Sequence, residues 1–384
     1  MTRMKHQIAL LGSTGSIGEQ TLDIVRVHGD KFEITLLSAN NNWQRLAQQA
    51  AEFLPDSVVI TNTDHYEPLR QALASLPVKV YAGAEALLQV LQNENIHTVV
   101  NAIVGYAGML PSLTAVRMRK RLALANKESL VVAGELIMHT VQQNNVPVIP
   151  VDSEHSAVFQ SLIGETSAVR RIILTASGGP FLRTPKDQLA GVSVRQALNH
   201  PNWSMGAKIT VDSSTMVNKG FEVIEAKWLF GLPADKIDVL VHPQSIVHSM
   251  VEFEDGAIKA QLGTPDMRLP IQFALTFPDR FDYGGDRLDL ASVAALTFEH
   301  PDTDRFPALA IAYDVLRKGG TAPCTMNAAN EVAVEAFLNG RIGYCDICRL
   351  IEKAVFSAPF TASPSVDDYA ACDREVRKMV GSMI

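Results

Sequence analysis

The chain has 384 residues, more than one hydrophobic core normally organises, so two or three domains are expected. It is 47% apolar and 20% charged with a formal net charge of −7, which excludes a generally basic nucleic-acid-binding surface and leaves any anionic substrate to a local cluster of cations. No apolar run approaches the roughly 20 residues of a membrane span, so no membrane partner is expected. The N-terminus is basic and then apolar, faintly like a secretory leader, but glycines follow Leu11 at once and Gln7 to Leu11 reads as a first strand. Gly12-Ser13-Thr14-Gly15-Ser16-Ile17-Gly18 comes next, then an amphipathic stretch from Glu19 to Val27. Strand, glycine turn and helix in that order suit a dinucleotide-binding unit, with a bare turn as the alternative. Gly12 would make the tight turn, Gly15 would admit a pyrophosphate to the helix start, and Gly18 would allow close helix–strand packing.

The second strand, Phe32 to Leu37, ends in Ser38-Ala39-Asn40-Asn41-Asn42. No acid stands there to hold ribose hydroxyls, and small polar groups suit a 2′-phosphate, which favours NADPH; Arg45 lies slightly beyond. Ser57 to Thr61, Lys79 to Tyr81, Thr98 to Val104 and Arg121 to Ala125 read as further strands, with Glu85 to Gln92 and Leu113 to Arg119 as helices. Asn126-Lys127-Glu128 closes the last of these strands before a helix through about Gln143. Lys127 sits where open α/β sheets bind ligands, although an isolated lysine there is more often a solvated surface charge.

Val146 to Val151 reads as a buried strand delivering Asp152-Ser153-Glu154. In extended chain residues i and i+2 point the same way, so both carboxylates can face one ion, and oxygen-only ligation suits Mg²⁺ or Mn²⁺. Capping of the following helix, Ser156 to Ile163, is the bland alternative, and Glu222 is the candidate third carboxylate. Ser177-Gly178-Gly179 forms a second glycine turn after an apolar strand, Arg171 to Thr175, and can hold an oxyanion. Ser213, Asn218 and Lys219 add two neutral donors and one ammonium, a mixture that suits a phosphate. In a helix beginning near Thr215, Asn218 and Glu222 share a face, while Glu225 reads as solvated or salt-bridged.

His200-Pro201-Asn202-Trp203-Ser204-Met205-Gly206 reads as a loop with an exposed tryptophan, and a lid closing over substrate is its functional reading. His248 falls in Leu240 to Phe253, a strand of mixed pattern, where a structural histidine is the ordinary expectation. Asp255 to Lys259 can make a hairpin turn. Pro278 to Pro301 reads as a linker, and from Phe306 onward apolar residues recur at helical spacing. Cys345 and Cys348 form a lone C-x-x-C without a second ligand pair; with Cys324 and Cys372 they read as reduced thiols of a cytoplasmic protein.

Together Gly12 to Gly18, Leu124 to Leu130, Asp152 to His155, Ser177 to Phe181, His200 to Gly206 and Met216 to Glu222 resemble the 1-deoxy-D-xylulose 5-phosphate reductoisomerase family. The likeness runs in order from residue 8 to the C-terminus, through Gly263 to Arg268 and Asn327 to Glu331. It implies rearrangement of 1-deoxy-D-xylulose 5-phosphate and reduction by NADPH to 2-C-methyl-D-erythritol 4-phosphate, an early step of non-mevalonate isoprenoid synthesis, in a homodimer. It also implies that Asp152, Glu154 and Glu222 bind the metal, that Ser177, Ser213, Asn218 and Lys219 hold the phosphate, and that Lys127, Ser153 and His200 touch the substrate. Trp203 and Met205 would belong to a flap and His248 would support the phosphate side. Thr14, Gly15, Ser16 and Ile17 would meet the cofactor, together with Gly12, Ser13, Gly18, Ala39, Asn40, Asn41, Asn42, Asn126, Glu128 and Gly206. Many relatives carry a lysine where this chain has Asn40 to Asn42, so the resemblance carries over no residue for the 2′-phosphate contact, while NADPH stays the expected cofactor.

The expected fold is α/β: a Rossmann-like dinucleotide-binding domain over residues 1–150, a central α+β catalytic domain over 151–277, a linker over 278–304 and a small helical domain over 305–384. Two rivals are a metal-free NADP-dependent dehydrogenase of a small phosphorylated or oxo-acid substrate and a nucleotide sensor without turnover. The first leaves the three carboxylates without a role.

Overall fold

The computed structural model describes residues 5–203 and 205–384; of the expected lid, Ser204 lies outside the described residues. The chain forms two compact units. The first comprises Met1–Ser129, Ile137–Ser156 and Asp266–Asp286; the second comprises Leu130–Leu136, Ala157–Pro265 and Arg287–Ile384. These units cut across the boundaries at 150 and 277.

Unit one is built on a seven-stranded sheet: β1 (His6–Leu11), β2 (Phe32–Ala39), β3 (Ser57–Ile60), β4 (Lys79–Ala82), β5 (Thr98–Asn101), β6 (Arg121–Leu124) and β7 (Val148–Pro150). Their order is β4-β3-β2-β1-β5-β6-β7 and every pairing is parallel. The strand order reverses beside β1, the switch point where such sheets take ligands. Both faces must be covered, and the inner strands are accordingly buried along most of their length. Part of the cover comes from late in the chain. The helix Arg268–Thr276 packs against the first helix, Ser16–Val27, and Gln272 and the Asp282 carbonyl meet His28 at 3.3 and 3.0 Å.

Strand β5 stops at Asn101 rather than Val104, because the Asn101 side chain accepts the Ile103 N–H at 3.2 Å and donates to the Gly108 carbonyl at 2.8 Å. Those bonds turn the chain out of the ladder.

Unit two holds β8 (Val169–Ala176), β9 (Ile237–Val241), β10 (Val247–Phe253) and β11 (Ile258–Leu262), in the order β11-β10-β8-β9. β10 is antiparallel to β8 and β11, with β9 parallel to β8. The single strand expected over Leu240 to Phe253 is two strands. His242 makes the break: its Nε2 accepts the N–H groups of Ile246 and Val247 at 3.2 and 3.1 Å, and its Nδ1 donates to the Thr297 carbonyl at 2.8 Å. The C-terminal helices Ala308–Lys318, Ala322–Leu338, Tyr344–Ser357 and Val366–Gly381 form in the expected region, and they pack in the same unit as this sheet. The four cysteines are free thiols, and among the described residues no helix is long and apolar enough to cross a membrane.

Candidate active site

In unit one the turn after β1 has the geometry a dinucleotide requires. Gly12 has φ +76°, and a Cβ there would lie 2.6 Å from the Ala102 carbonyl oxygen. A Cβ on Gly18 would come within 2.4 Å of the Gly12 and Ser13 carbonyl oxygens, so helix and turn touch only because it has none. Gly15 caps the helix Ser16–Val27 without any side-chain cap, and Gly15 and Ser16 are exposed, with Thr14 and Ile17 half-buried beside them. The helix start therefore offers backbone N–H groups to an anion.

Several of the expected cofactor residues have side chains engaged by the fold. Ser13 is buried, its hydroxyl 2.7 Å from Gln49 Oε1, and Ala39 is buried at the end of β2. Asn126 donates to the Ile103 and Gly105 carbonyls at 2.7 and 3.0 Å and also to Glu128. Asn40 and Asn41 are exposed and accept bonds from Thr61 and Asn62, while Asn42 caps the next helix. Arg45 forms a two-pronged ion pair with Glu19, at 2.5 and 2.7 Å.

At the other side of the sheet, β7 delivers Asp152, but the extended geometry expected for Asp152 to Glu154 is not what forms. Ser153–Leu162 is helical, with Glu154 in its first turn, where the helix dipole favours an acid. Asp152 Oδ1 accepts the Ser153 N–H at 3.1 Å, and Ser153 Oγ donates to Glu154 Oε2 at 2.6 Å. Lys127 is no solvated charge: it is only 5% exposed and its Nζ lies 2.5 Å from Asp152 Oδ2. His155, absent from the expected site, is buried with Nδ1 3.8 Å from the same oxygen. Helical rather than extended spacing would have revealed it, since i and i+3 share a helix face.

Unit two carries the expected phosphate residues on three neighbouring segments. After β8, Gly178 and Gly179 take φ +82° and +68°, and Gly179 donates its N–H to Ser177 Oγ at 3.2 Å. Ser213 is the penultimate residue of the helix Ala207–Ser214; a Cβ on Gly179 would lie 3.0 Å from the Ser213 carbonyl oxygen, so the two segments touch. The following helix is Val217–Phe230, two residues later than expected because Met216 intervenes in the left-handed region at φ +64°. On it, Asn218 Nδ2 donates to Glu222 Oε1 at 2.5 Å, and Lys219 Nζ donates to Glu222 and to the Thr175 carbonyl. Lys219, Glu222 and Glu225 are buried, so of the two expectations for Glu225, solvated or salt-bridged, burial removes the solvated one. A carboxylate as buried as Glu222 requires such partners.

His200 Nε2 lies 3.1 Å from Ser177 Oγ. Its Nδ1 accepts the N–H groups of Asn202 and Trp203 at 3.2 and 3.0 Å, so the proton sits on Nε2 and points at the serine. Burial lowers the His200 pKa below its ordinary value, in keeping with a neutral ring. Asn202 anchors the segment to the Pro243 carbonyl at 2.7 Å, and Trp203 is half-buried, its ring 6.3 Å from that of buried His248. Met205 is half-buried and Gly206 is exposed at the start of Ala207–Ser214.

Three family models match the chain: 1-deoxy-D-xylulose 5-phosphate reductoisomerase over residues 8–134, that enzyme's C-terminal domain over 148–230, and DXP reductoisomerase C-terminal domain over 262–379. A 1-deoxy-D-xylulose 5-phosphate reductoisomerase of Bacteroides thetaiotaomicron is 54% identical, covering 99% of this chain and 98% of the relative. Among solved structures, the Zymomonas mobilis reductoisomerase in complex with NADPH superposes with a TM-score of 0.92 at 43% identity, covering 99% of both chains. A DOX-P reductoisomerase in complex with NADPH, fosmidomycin and magnesium superposes with a TM-score of 0.94 at 40% identity, covering 98% of each. The chain belongs to the 1-deoxy-D-xylulose 5-phosphate reductoisomerase family.

Proposed function

We infer that the protein converts 1-deoxy-D-xylulose 5-phosphate to 2-C-methyl-D-erythritol 4-phosphate, with NADPH as reductant and a divalent cation, in the non-mevalonate isoprenoid pathway. The observation that carries this reading is the nearly full-length likeness to a reductoisomerase solved with NADPH, fosmidomycin and magnesium. A nucleotide sensor would use only part of that likeness, and a metal-free dehydrogenase would leave the acidic residues idle.

Asp152, Glu154 and Glu222 are the ligands in this reading. Their all-oxygen donor set fits Mg²⁺ or Mn²⁺, and the buried ammonium partners Lys127 and Lys219 are consistent with acids that need positive charge beside them. A dication there supplies Lewis acidity to the substrate's carbonyl and a neighbouring hydroxyl, and NADPH supplies the hydride. Ser177, Ser213, Asn218 and Lys219 grip the phosphate through several hydrogen bonds around one ammonium, and His248 supports that side. Because they hold atoms that do not react, their binding energy aligns the reacting carbons. Neutral His200 donates from Nε2, Lys127 and Ser153 meet the substrate's oxygens, and Trp203 and Met205 close over it to exclude water.

Residues 1–150 hold the dinucleotide in this reading, through the uncapped helix start at Thr14 to Ile17 and the Asn40 to Asn42 loop. Residues 151–277 carry the substrate groups, and the helices of 305–384 support them. A homodimer in the cytoplasm completes the proposal.

The test is NADPH consumption by the purified protein with 1-deoxy-D-xylulose 5-phosphate, with the product identified by NMR. Stoichiometric 2-C-methyl-D-erythritol 4-phosphate is expected with Mg²⁺ or Mn²⁺ and none after chelation. Persistent NADPH loss in a chelator would reject the metal role.

A further inference from the structure

One buried tyrosine touches both segments that carry the phosphate serines. Tyr344 is the first residue of the helix Tyr344–Ser357, whose entry is held by Asp346 Oδ2 accepting the Gly343 N–H at 2.9 Å. Its hydroxyl donates to the Ser214 carbonyl at 2.6 Å. That carbonyl is the last of the helix Ala207–Ser214, a position with no intrahelical partner, and Ser213 is the residue before it. The tyrosine ring stands edge-on to Phe181, centroids 5.2 Å apart at 76°, and edge-on to Phe337 at 5.9 Å. Phe181 lies two residues past Gly179, on the turn that Ser177 opens. Since Gly179 already meets the Ser213 backbone, Tyr344 closes a small ring of contacts around the two serines.

We propose that Tyr344 is a positioning residue for the substrate's phosphate: it sets the spacing between Ser177 and Ser213 from outside the pocket. This rests on the phosphate role proposed above for those serines. A buried phenol seeks one acceptor, and here that acceptor is bonded to the residue whose hydroxyl must be aimed. The edge-on contact with Phe181 fixes the second segment against the same ring. Burial holds the Tyr344 phenol well above its ordinary pKa, so it remains a donor throughout the working range. The ring contacts would survive in a phenylalanine; the hydroxyl bond to Ser214 is what ties the ring to the segment that carries Ser213.

Tyr344→Phe keeps the ring and removes that bond. It should raise the KM for 1-deoxy-D-xylulose 5-phosphate about fivefold, the effect of one hydrogen bond, and weaken competitive inhibition by inorganic phosphate by the same factor. The KM for NADPH should stay as it was. Phe337→Leu touches the same ring but not Ser214, and should lower Tm while leaving both phosphate readouts in place. If Tyr344→Phe lowers Tm but leaves KM and phosphate inhibition at wild-type values, or if Phe337→Leu moves them as much, the proposal is overturned. Ser213→Ala separates the two levels of the argument. Weaker phosphate inhibition in Ser213→Ala with wild-type inhibition in Tyr344→Phe overturns the positioning role alone, whereas unchanged inhibition in Ser213→Ala overturns the phosphate reading beneath it.

Discussion

His200 and Ser177 share a 3.1 Å hydrogen bond from Nε2 to Oγ, and two backbone N–H groups on Nδ1 hold the ring from behind. A second proton on His200 would turn Nδ1 from acceptor to donor and set it against both of those N–H groups. Burial lowers the folded pKa below the ordinary 6.5, so the unfolded chain takes up this proton first as pH falls. The contribution to stability is present above pH 6.5 and is lost as the pH drops from there through the folded value. Substrate affinity should follow the same direction, weakening only on the acid side. An NMR titration of the His200 ring C–H groups, run beside a pH profile of KM, should give a midpoint below 6.5. A midpoint at or above 6.5 would contradict the neutral donor.

Lys219 is bonded to Glu222 on the same buried helix. Lys219→Met leaves that carboxylate short of positive charge and should cost about 3–5 kcal/mol without metal, the usual effect of breaking a buried pair. Mn²⁺ should restore Tm in this variant more than it raises Tm in the wild type, because a dication replaces the missing ammonium. Substrate KM should still rise by about tenfold or more, the phosphate having lost its cation. A defect confined to NADPH affinity would remove Lys219 from the phosphate pocket.

Gly18→Ala introduces a Cβ 2.4 Å from two carbonyl oxygens of the turn. Overpacking of this kind costs about 1–3 kcal/mol and should open the turn proposed to meet the pyrophosphate. Fluorescence titration should show weakened NADPH binding with inorganic phosphate inhibition retained. Unaltered NADPH affinity in the folded variant would exclude this turn from the cofactor site.

The parts that were legible in the sequence are those set by local rules. Strand β1, the glycine turn and the first helix follow from periodicity and from Gly12 and Gly18, whose lack of a Cβ is visible as a letter. What escaped depends on side chains that meet across long sequence distances. Lys127 reads as a surface charge until Asp152, 25 positions later, is seen to pair with it. The break between β9 and β10 is made by His242 bonding backbone on both sides, which no hydrophobic pattern records. The Arg268–Thr276 helix belongs with the first sheet through contacts such as Gln272 with His28. Asp152 to Glu154 departs from its sequence pattern for a different reason. Alternation along an extended chain explains two facing acids, but the helix starts at Ser153, and His155 then joins the same face.

Asp152, Glu154 and Glu222 are proposed to bind one divalent cation jointly. Mn²⁺ binding to the wild type and to Asp152→Asn, Glu154→Gln and Glu222→Gln, followed by electron paramagnetic resonance, tests it most directly. The account predicts one Mn²⁺ per chain in the wild type and markedly weaker binding in each of the three variants, with Tm showing that they remain folded. Full-strength binding in the folded Glu222→Gln variant would contradict it.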